Sequence, residues 1–230
     1  GDEARGVIVA TYHGLAMILT GTSFYGLAER AHGEEIDFDA LIHEAIRLLR
    51  GEVQLPGLEA DELKDRLLEG FRHILVDEYQ DIDGDQYELI SALAGRTEKD
   101  PDCKLSILAV GDDDQNIYTF RGANVEFIRR FQGDYDAQVH YLTWNYRSTA
   151  NIINAANSLI KHNRDRMKMD YPIVINKERK RDHPGGEWGS LDTVSKGRVQ
   201  MIEVGNEKEQ ISALAAELAR MMPIEPALGL

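Results

Sequence analysis

Residues 73–81 read HILVDEYQD. Apolar Ile74, Leu75 and Val76 lead straight into Asp77-Glu78, and Gln80 and Asp81 follow at once. A short apolar run of this kind reads as a buried strand, here ended by two adjacent carboxylates. KLSILAVGD at 104–112 repeats the arrangement, a second buried strand that ends in acid. Ligands in open α/β sheets bind at the carboxyl ends of the strands, so Asp77, Glu78 and Asp112 are expected to face a shared cleft. Two charges on one strand tip can divide the work of a nucleotide site. One would hold Mg²⁺, often through water, while the other orients and deprotonates an attacking water.

The flanking pattern alternates. GVIVATYHG (6–14) reads as a buried strand with its exit loop, QVHYLTW (138–144) and RVQMIEV (198–204) as further strands. DFDALIHEAIRLLR (37–50) puts Leu41, Ile42, Ala45, Ile46, Leu48 and Leu49 on one helical face, with Asp37 or Asp39 as N-cap. Further helices are expected over about 59–69, 83–95, 124–131, 147–163 and 206–221, and a polar loop from Asp165 to Lys196. Strands alternating with helices predict an α/β fold with a parallel sheet.

Bulk composition permits a soluble globular protein, with 43% hydrophobic and 29% charged residues. A lone cysteine, Cys103, excludes an internal disulfide and suits a reducing compartment. No apolar run approaches the roughly 20 residues that span a bilayer, and residues 1–30 lack a signal-peptide pattern. A soluble, cytoplasmic protein with no membrane partner is expected. The net charge of −14 argues against nucleic acid until its distribution is read. Residues 29–102 hold 21 acidic and 8 basic side chains, whereas 143–200 hold 11 basic and 6 acidic ones. The basic segment, densest at 161–170 and 177–181, is either a solvated loop or a phosphate-contacting surface.

DEYQ alone is a short match, but it has company. GDDDQNIYTFRGA (111–123), LTWNYRST (142–149), VATYHGLAMILTG (9–21) and IDFDALIHEAIRLL (36–49) stand around it in fixed order. Order, spacing and composition together resemble the UvrD/Rep/PcrA-type superfamily 1 DNA helicases, clearly from residue 7 to about 160. The resemblance implies a RecA-like parallel sheet flanked by helices. It makes residues 1–143 a partial first motor domain and 144–230 the beginning of a second, with the hinge near Trp144.

On the same resemblance, Asp77 is the Mg²⁺ ligand and Glu78 the base for ATP hydrolysis. Gln115 matches the glutamine that senses the γ-phosphate; a neutral amide can bond a water or a phosphate oxygen without fixed charge. Arg147 matches the arginine that spreads positive charge over the transferring phosphoryl group, and Tyr146 the tyrosine that stacks on adenine. Tyr118, Phe120 and Arg121 look like contacts to single-stranded DNA, since aromatics stack on bases regardless of sequence. Phe120 stands where the family commonly has tryptophan, which weakens the contact; plain core aromatics are the alternative for Tyr118 and Phe120. Thr11 and His13 match another DNA-contact block, with a satisfied loop histidine as the alternative for His13. The triplet Asp112-Asp113-Asp114 lacks the spacing of a calcium loop.

No G-x-x-x-x-G-K-[ST] occurs, and Gly-Lys is absent as a dipeptide. That phosphate loop is expected upstream of Gly1, and the later motifs beyond Leu230. The helical insertion usual between the 9–21 block and the helix at 37–50 is almost missing. The chain therefore reads as an internal piece of an ATP-dependent 3′–5′ DNA helicase or translocase of repair or replication. Such a protein acts on single-stranded DNA and duplex junctions, and the piece is expected to be inactive alone. Two alternatives stand beside it: a motor within a larger nuclease-helicase or fused helicase, and a non-catalytic DNA- or protein-binding module.

Overall fold

The structure, a computed structural model, describes residues 6–23, 26, 37–53, 60–118, 120 and 122–224. The chain divides into two compact units, Gly1–Val139 and His140–Leu230. Both are mixed α/β, and the strand pairs in each are parallel.

In the first unit, helix α1 (Tyr12–Thr20) and α2 (Phe38–Leu49) pack on one another, and α2 also packs on α3 (Ala60–Leu68) and α4 (Gly84–Leu93). Helix α2 starts where Asp37 accepts a hydrogen bond from the Ala40 N–H at 2.9 Å. It buries the six apolar residues that its periodicity marks. It stops at Gly51, whose positive φ of 69° lets the Gly51 and Glu52 N–H groups bond back to Leu48 and Arg47 carbonyls. Asp83 caps α4 by accepting from Gln86 N–H at 2.9 Å.

Strands β1 (His73–Val76) and β2 (Ser106–Ala109) pair in register from His73 with Ser106 to Val76 with Ala109. Alternation buries Ile74 and Val76 under the helices and leaves Leu75 on the other face. Helix α5 (Glu126–Tyr135) backs the turn after β1. Tyr87 fastens α5 to α4: its ring stacks on Phe127 at 4.4 Å, and its hydroxyl donates to Asp134 at 2.7 Å. Burial alone would push Asp134 up; the hydrogen bonds from Tyr87 and Arg130 outweigh it and hold the carboxyl below its ordinary range.

The second unit pairs β3 (Trp144–Asn145) with β4 (Val174–Ile175) and contains α6 (Ala150–Ile160), the short α7 (Trp188–Leu191) and α8 (Glu207–Met221). Polar links hold it. Asn157 donates to the Ile173 carbonyl at 2.7 Å, and Asn151 to Gly197 at 2.9 Å. Arg220 on α8 donates to both oxygens of buried Asp192, at 2.7 and 2.9 Å. The Arg220 hydrogen bonds first, then those from Ser195, hold the Asp192 carboxyl well below the usual range.

Several sequence expectations are corrected here. Residues 7–11 form no strand; Val7, Ile8 and Val9 are exposed, and a helix begins at Tyr12, inside the segment read as strand and exit loop. Of 138–144 only Trp144 joins a sheet, and 198–204 forms no strand. An apolar run becomes a strand only when a neighbour completes its hydrogen-bond ladder, and among the described residues none does so for 7–11, 138–142 or 198–204. Conversely, the expected loop 165–196 contains β4, the 3₁₀ turn Glu178–Arg181 and α7. No described helix is long and apolar enough to cross a membrane.

Candidate active site

Strand β1 ends because the backbone turns at Glu78, whose φ of 50° and ψ of 42° place it in the left-handed region. A non-glycine residue there is uncommon and held by its surroundings. Asp77 and Glu78 are exposed, while the next two residues plunge inward, Tyr79 at 0% and Gln80 at 1% exposure. Tyr79 meets Phe131 of α5 edge to face at 5.1 Å. Tyr79 N–H donates to the Val110 carbonyl and Val110 N–H to Val76, at 2.9 and 2.8 Å, so the ladder ties both strand tips together. Two carboxylates are thus presented to solvent on a turn whose base is packed.

Beyond β2, residues Asp113–Gln115 form a 3₁₀ turn that Asp112 caps. Asp112 accepts from Asp114 N–H at 3.1 Å and from the Gln115 side-chain amide at 2.8 Å. Gln115 itself is exposed. Carboxylate oxygens of Asp112, Asp113 and Asp114 lie within 4.8 Å of one another. Turn capping accounts for Asp112, and Asp113 pairs with Arg129 at 3.8 Å.

Gln80 joins the two turns. Its amide nitrogen donates to Glu78 Oε2 at 2.8 Å and Asp81 Oδ2 at 3.1 Å, and its amide oxygen accepts from Asp112 N–H at 3.0 Å. Its backbone carbonyl accepts from the Asn116 side chain. The reverse amide orientation would set its oxygen against two carboxylates, so the network assigns the flip. Asp81 lies beside it, its carboxyl pushed up by burial first and by the Glu78 charge second, with the Gln80 bond opposing. Sequence reading noted Gln80 only as a companion of the acids; the signal was the immediate succession DEYQD.

Tyr12 and the predicted DNA-contact residues Thr11 and His13 sit at the start of α1. Thr11 caps the helix, its hydroxyl accepting from Gly14 N–H at 3.2 Å. His13 lies edge-on to Phe38 at 5.4 Å. Burial first, then the charges of Asp83 and Asp77, push the Tyr12 hydroxyl up. Tyr118 and Phe120 are exposed, not core, with ring centroids 6.1 Å apart; Phe120 is 78% exposed. Arg121 lies outside the described residues.

In the second unit Tyr146 and Arg147 are exposed, just after β3. Asn145 Oδ1 accepts from the N–H groups of Arg147 and Ser148 at 3.0 and 2.7 Å. Arg179 donates to the Tyr146 and Ser148 carbonyls at 2.7 and 3.3 Å. The basic run at 177–181 is therefore not uniformly a solvated or phosphate-facing surface, because Arg179 braces the backbone on either side of Arg147. Charge composition carried no sign of that inward role.

Asp77 and Glu78 supply hard oxygen donors, the chemistry that suits Mg²⁺, and Asp77 already uses Oδ1 to accept from Glu78 N–H at 3.0 Å. Residues 10–136 match the UvrD/REP helicase N-terminal domain family. The chain is 49% identical over 102 residues to DNA helicase II of Haemophilus influenzae, an overlap of 44% of this chain and 13% of that protein. It is 44% identical over 132 residues to ATP-dependent DNA helicase UvrD1 of Mycobacterium bovis, covering 57% of this chain and 16% of that one. ATP-dependent DNA helicase PcrA of Staphylococcus epidermidis is 39% identical over 137 residues, 59% of this chain and 17% of that protein. The chain thus spans between 13 and 17% of the length of these relatives.

Proposed function

Because the chain belongs to the UvrD/REP helicase N-terminal domain family, we propose that it is part of an ATP-dependent DNA helicase or translocase with a RecA-like motor. The parent protein couples ATP hydrolysis to 3′–5′ movement on single-stranded DNA, acts at duplex junctions in repair or replication, and works in the cytoplasm. Residues 1–143 belong to the first motor domain and 144–230 open the second.

One observation carries this reading. Two solvent-presented carboxylates at the tip of β1 stand beside the Gln115 turn at the tip of β2, joined by a buried amide. Asp77 would hold Mg²⁺, which would supply charge neutralisation for the phosphates. Glu78 orients the attacking water and takes its proton. Gln115, on an exposed turn, contacts the γ-phosphate through its amide. Arg147 offsets charge that builds on the transferring phosphoryl group, and Tyr146 stacks on adenine. Tyr118, Phe120, Arg121, Thr11 and His13 contact the DNA strand, with the exposed rings as stacking platforms.

The test is DNA-stimulated phosphate release by the full-length parent and its Glu78→Gln variant. The substitution keeps the shape and removes the base, so kcat should fall by about 10²–10⁴-fold with nucleotide binding retained. A near-normal kcat would mean that Glu78 is misassigned.

A further inference from the structure

We propose that Gln80 is a positioning residue for hydrolysis, acting through Glu78 and tying it to the turn that carries Gln115. The proposal rests on the reading of Glu78 as the base. Gln80 is 1% exposed, so its side chain is spent on protein partners and not on solvent. A buried glutamine beside exposed acids would be a costly choice for packing alone, since each of its polar atoms needs a partner there. Its partners are specific. One amide group bonds the Glu78 carboxylate at 2.8 Å and the Asp112 N–H at 3.0 Å, across 32 residues of sequence.

Three features show that the position tolerates little else. Glu78 sits in left-handed backbone, so its side chain is aimed by its contacts rather than by a relaxed backbone. Asn116 grips the Gln80 carbonyl, fixing the residue from its main chain as well. Gly111 leaves room for the amide: a Cβ there would lie 2.6 Å from Gln80 Oε1 and 2.8 Å from Ile128 Cδ1. Glutamine is the side chain that satisfies both ends, because it donates to a carboxylate and accepts from a backbone N–H. Glutamate at this position would set a third acid against Glu78 and Asp81. Methionine would fill the space and make neither bond.

The link predicts that the β1 and β2 turns move as one piece. A shift of Gln115 on phosphate binding would be felt at Glu78 through a single rigid amide, and the reverse holds equally.

The test uses Gln80→Met and Gln80→Glu in the full-length parent, with Gly111→Ala as a third variant that presses on the amide from the other side. For Gln80→Met, kcat should fall about 10²-fold, the effect of misplacing a catalytic group, while KM for ATP changes by less than about threefold. In a Glu78→Gln background the same substitution should cause no further loss, because a residue that acts through Glu78 has nothing left to position. An additional loss of similar size in that background would overturn the proposal, showing general structural damage. So would near-normal kcat in Gln80→Met. Amide hydrogen exchange supplies a readout independent of turnover: Gln80→Met should speed exchange at Asp112 at least tenfold relative to the β1–β2 ladder. Unchanged Asp112 protection refutes the link even if the parent is active. An inactive wild-type parent with faster Asp112 exchange in the variant would instead refute the functional reading and leave the link standing as architecture.

Discussion

The two units of this chain are built on different principles. Among the described residues, every buried hydrophobic side chain except Ile153 belongs to the first unit. The second unit buries Asn176 and Asp192 instead and is held by side-chain bonds between distant segments. Yet each presents exposed candidate site residues just beyond a parallel strand, Asp77 and Glu78 in one and Tyr146 and Arg147 in the other. Apolar packing and polar bracing reach the same end: a strand tip whose backbone is fixed and whose side chains are left for a ligand. In the first unit Gln80 does the bracing over a packed base; in the second Asn145 and Arg179 do it with little core beneath.

The largest expected effect asks whether the lightly packed unit matters to chemistry. Arg147→Ala in the full-length parent should lower kcat about 10³-fold or more, as loss of a charge-stabilising arginine does in phosphoryl transfer. Steady-state ATPase assays decide it. A kcat near wild type would confine the reaction to the first unit and break the symmetry between the two strand tips.

A second measurement sharpens the packing contrast. Leu89→Ala, at a position 0% exposed in the first unit, should cost about 2–5 kcal/mol of unfolding free energy. Leu214→Ala on α8 of the second unit, 59% exposed, should stay within about 0.5 kcal/mol. Urea denaturation of both variants compares them directly. Equal costs would mean that the α8 face is covered in the folded protein.

The exposed rings of the first unit give a smaller effect. Phe120→Ala should weaken single-stranded DNA binding by about 1–3 kcal/mol, and Phe120→Trp should strengthen it by about 0.5–1 kcal/mol. Fluorescence anisotropy with a labelled oligonucleotide at two salt concentrations reads both. If neither substitution alters binding, Phe120 does not lie on the DNA track.

The smallest effect is a pH response particular to the second unit. Asp192 is held below its unfolded value by Arg220 and Ser195, so it binds fewer protons in the folded state. Its stabilising contribution is complete above the ordinary carboxylate range and declines as pH falls below about 4 toward the depressed folded value. Asp81 in the first unit runs the other way: its raised carboxyl favours the folded state at low pH and loses that contribution as pH rises through the folded value. Amide exchange across α8 should therefore accelerate below about pH 4, and Asp192→Asn should flatten that dependence. An α8 whose exchange ignores both changes is not held by Asp192.

Legibility followed the same division. Leu41, Ile42, Ala45, Ile46, Leu48 and Leu49 were readable as one buried face because helical periodicity is a local property, and all six are buried in α2. The tips of β1 and β2 were readable because acid after an apolar run marks a strand end. The apolar runs at 7–10 and 198–204 carry a similar local signal and form no strand among the described residues, since a ladder needs a second strand that local pattern cannot supply. The roles of Arg179 and Gln80 were hidden for a related reason. Arg179 resembles its basic neighbours until its bond to the Tyr146 carbonyl, 33 residues away, is seen.

By itself the sequence determined the α/β class, the packed helices of the first unit, the family, and the chemical identity of the residues at both strand tips, because periodicity, caps and motif order are written in neighbouring positions. Only the tertiary structure decided which apolar runs became strands, that Glu78 stands on left-handed backbone, and that one buried amide joins Glu78 to the Gln115 turn. Those outcomes depend on hydrogen bonds between groups far apart in the chain, whose partners exist only once the fold has brought them within 3 Å or so.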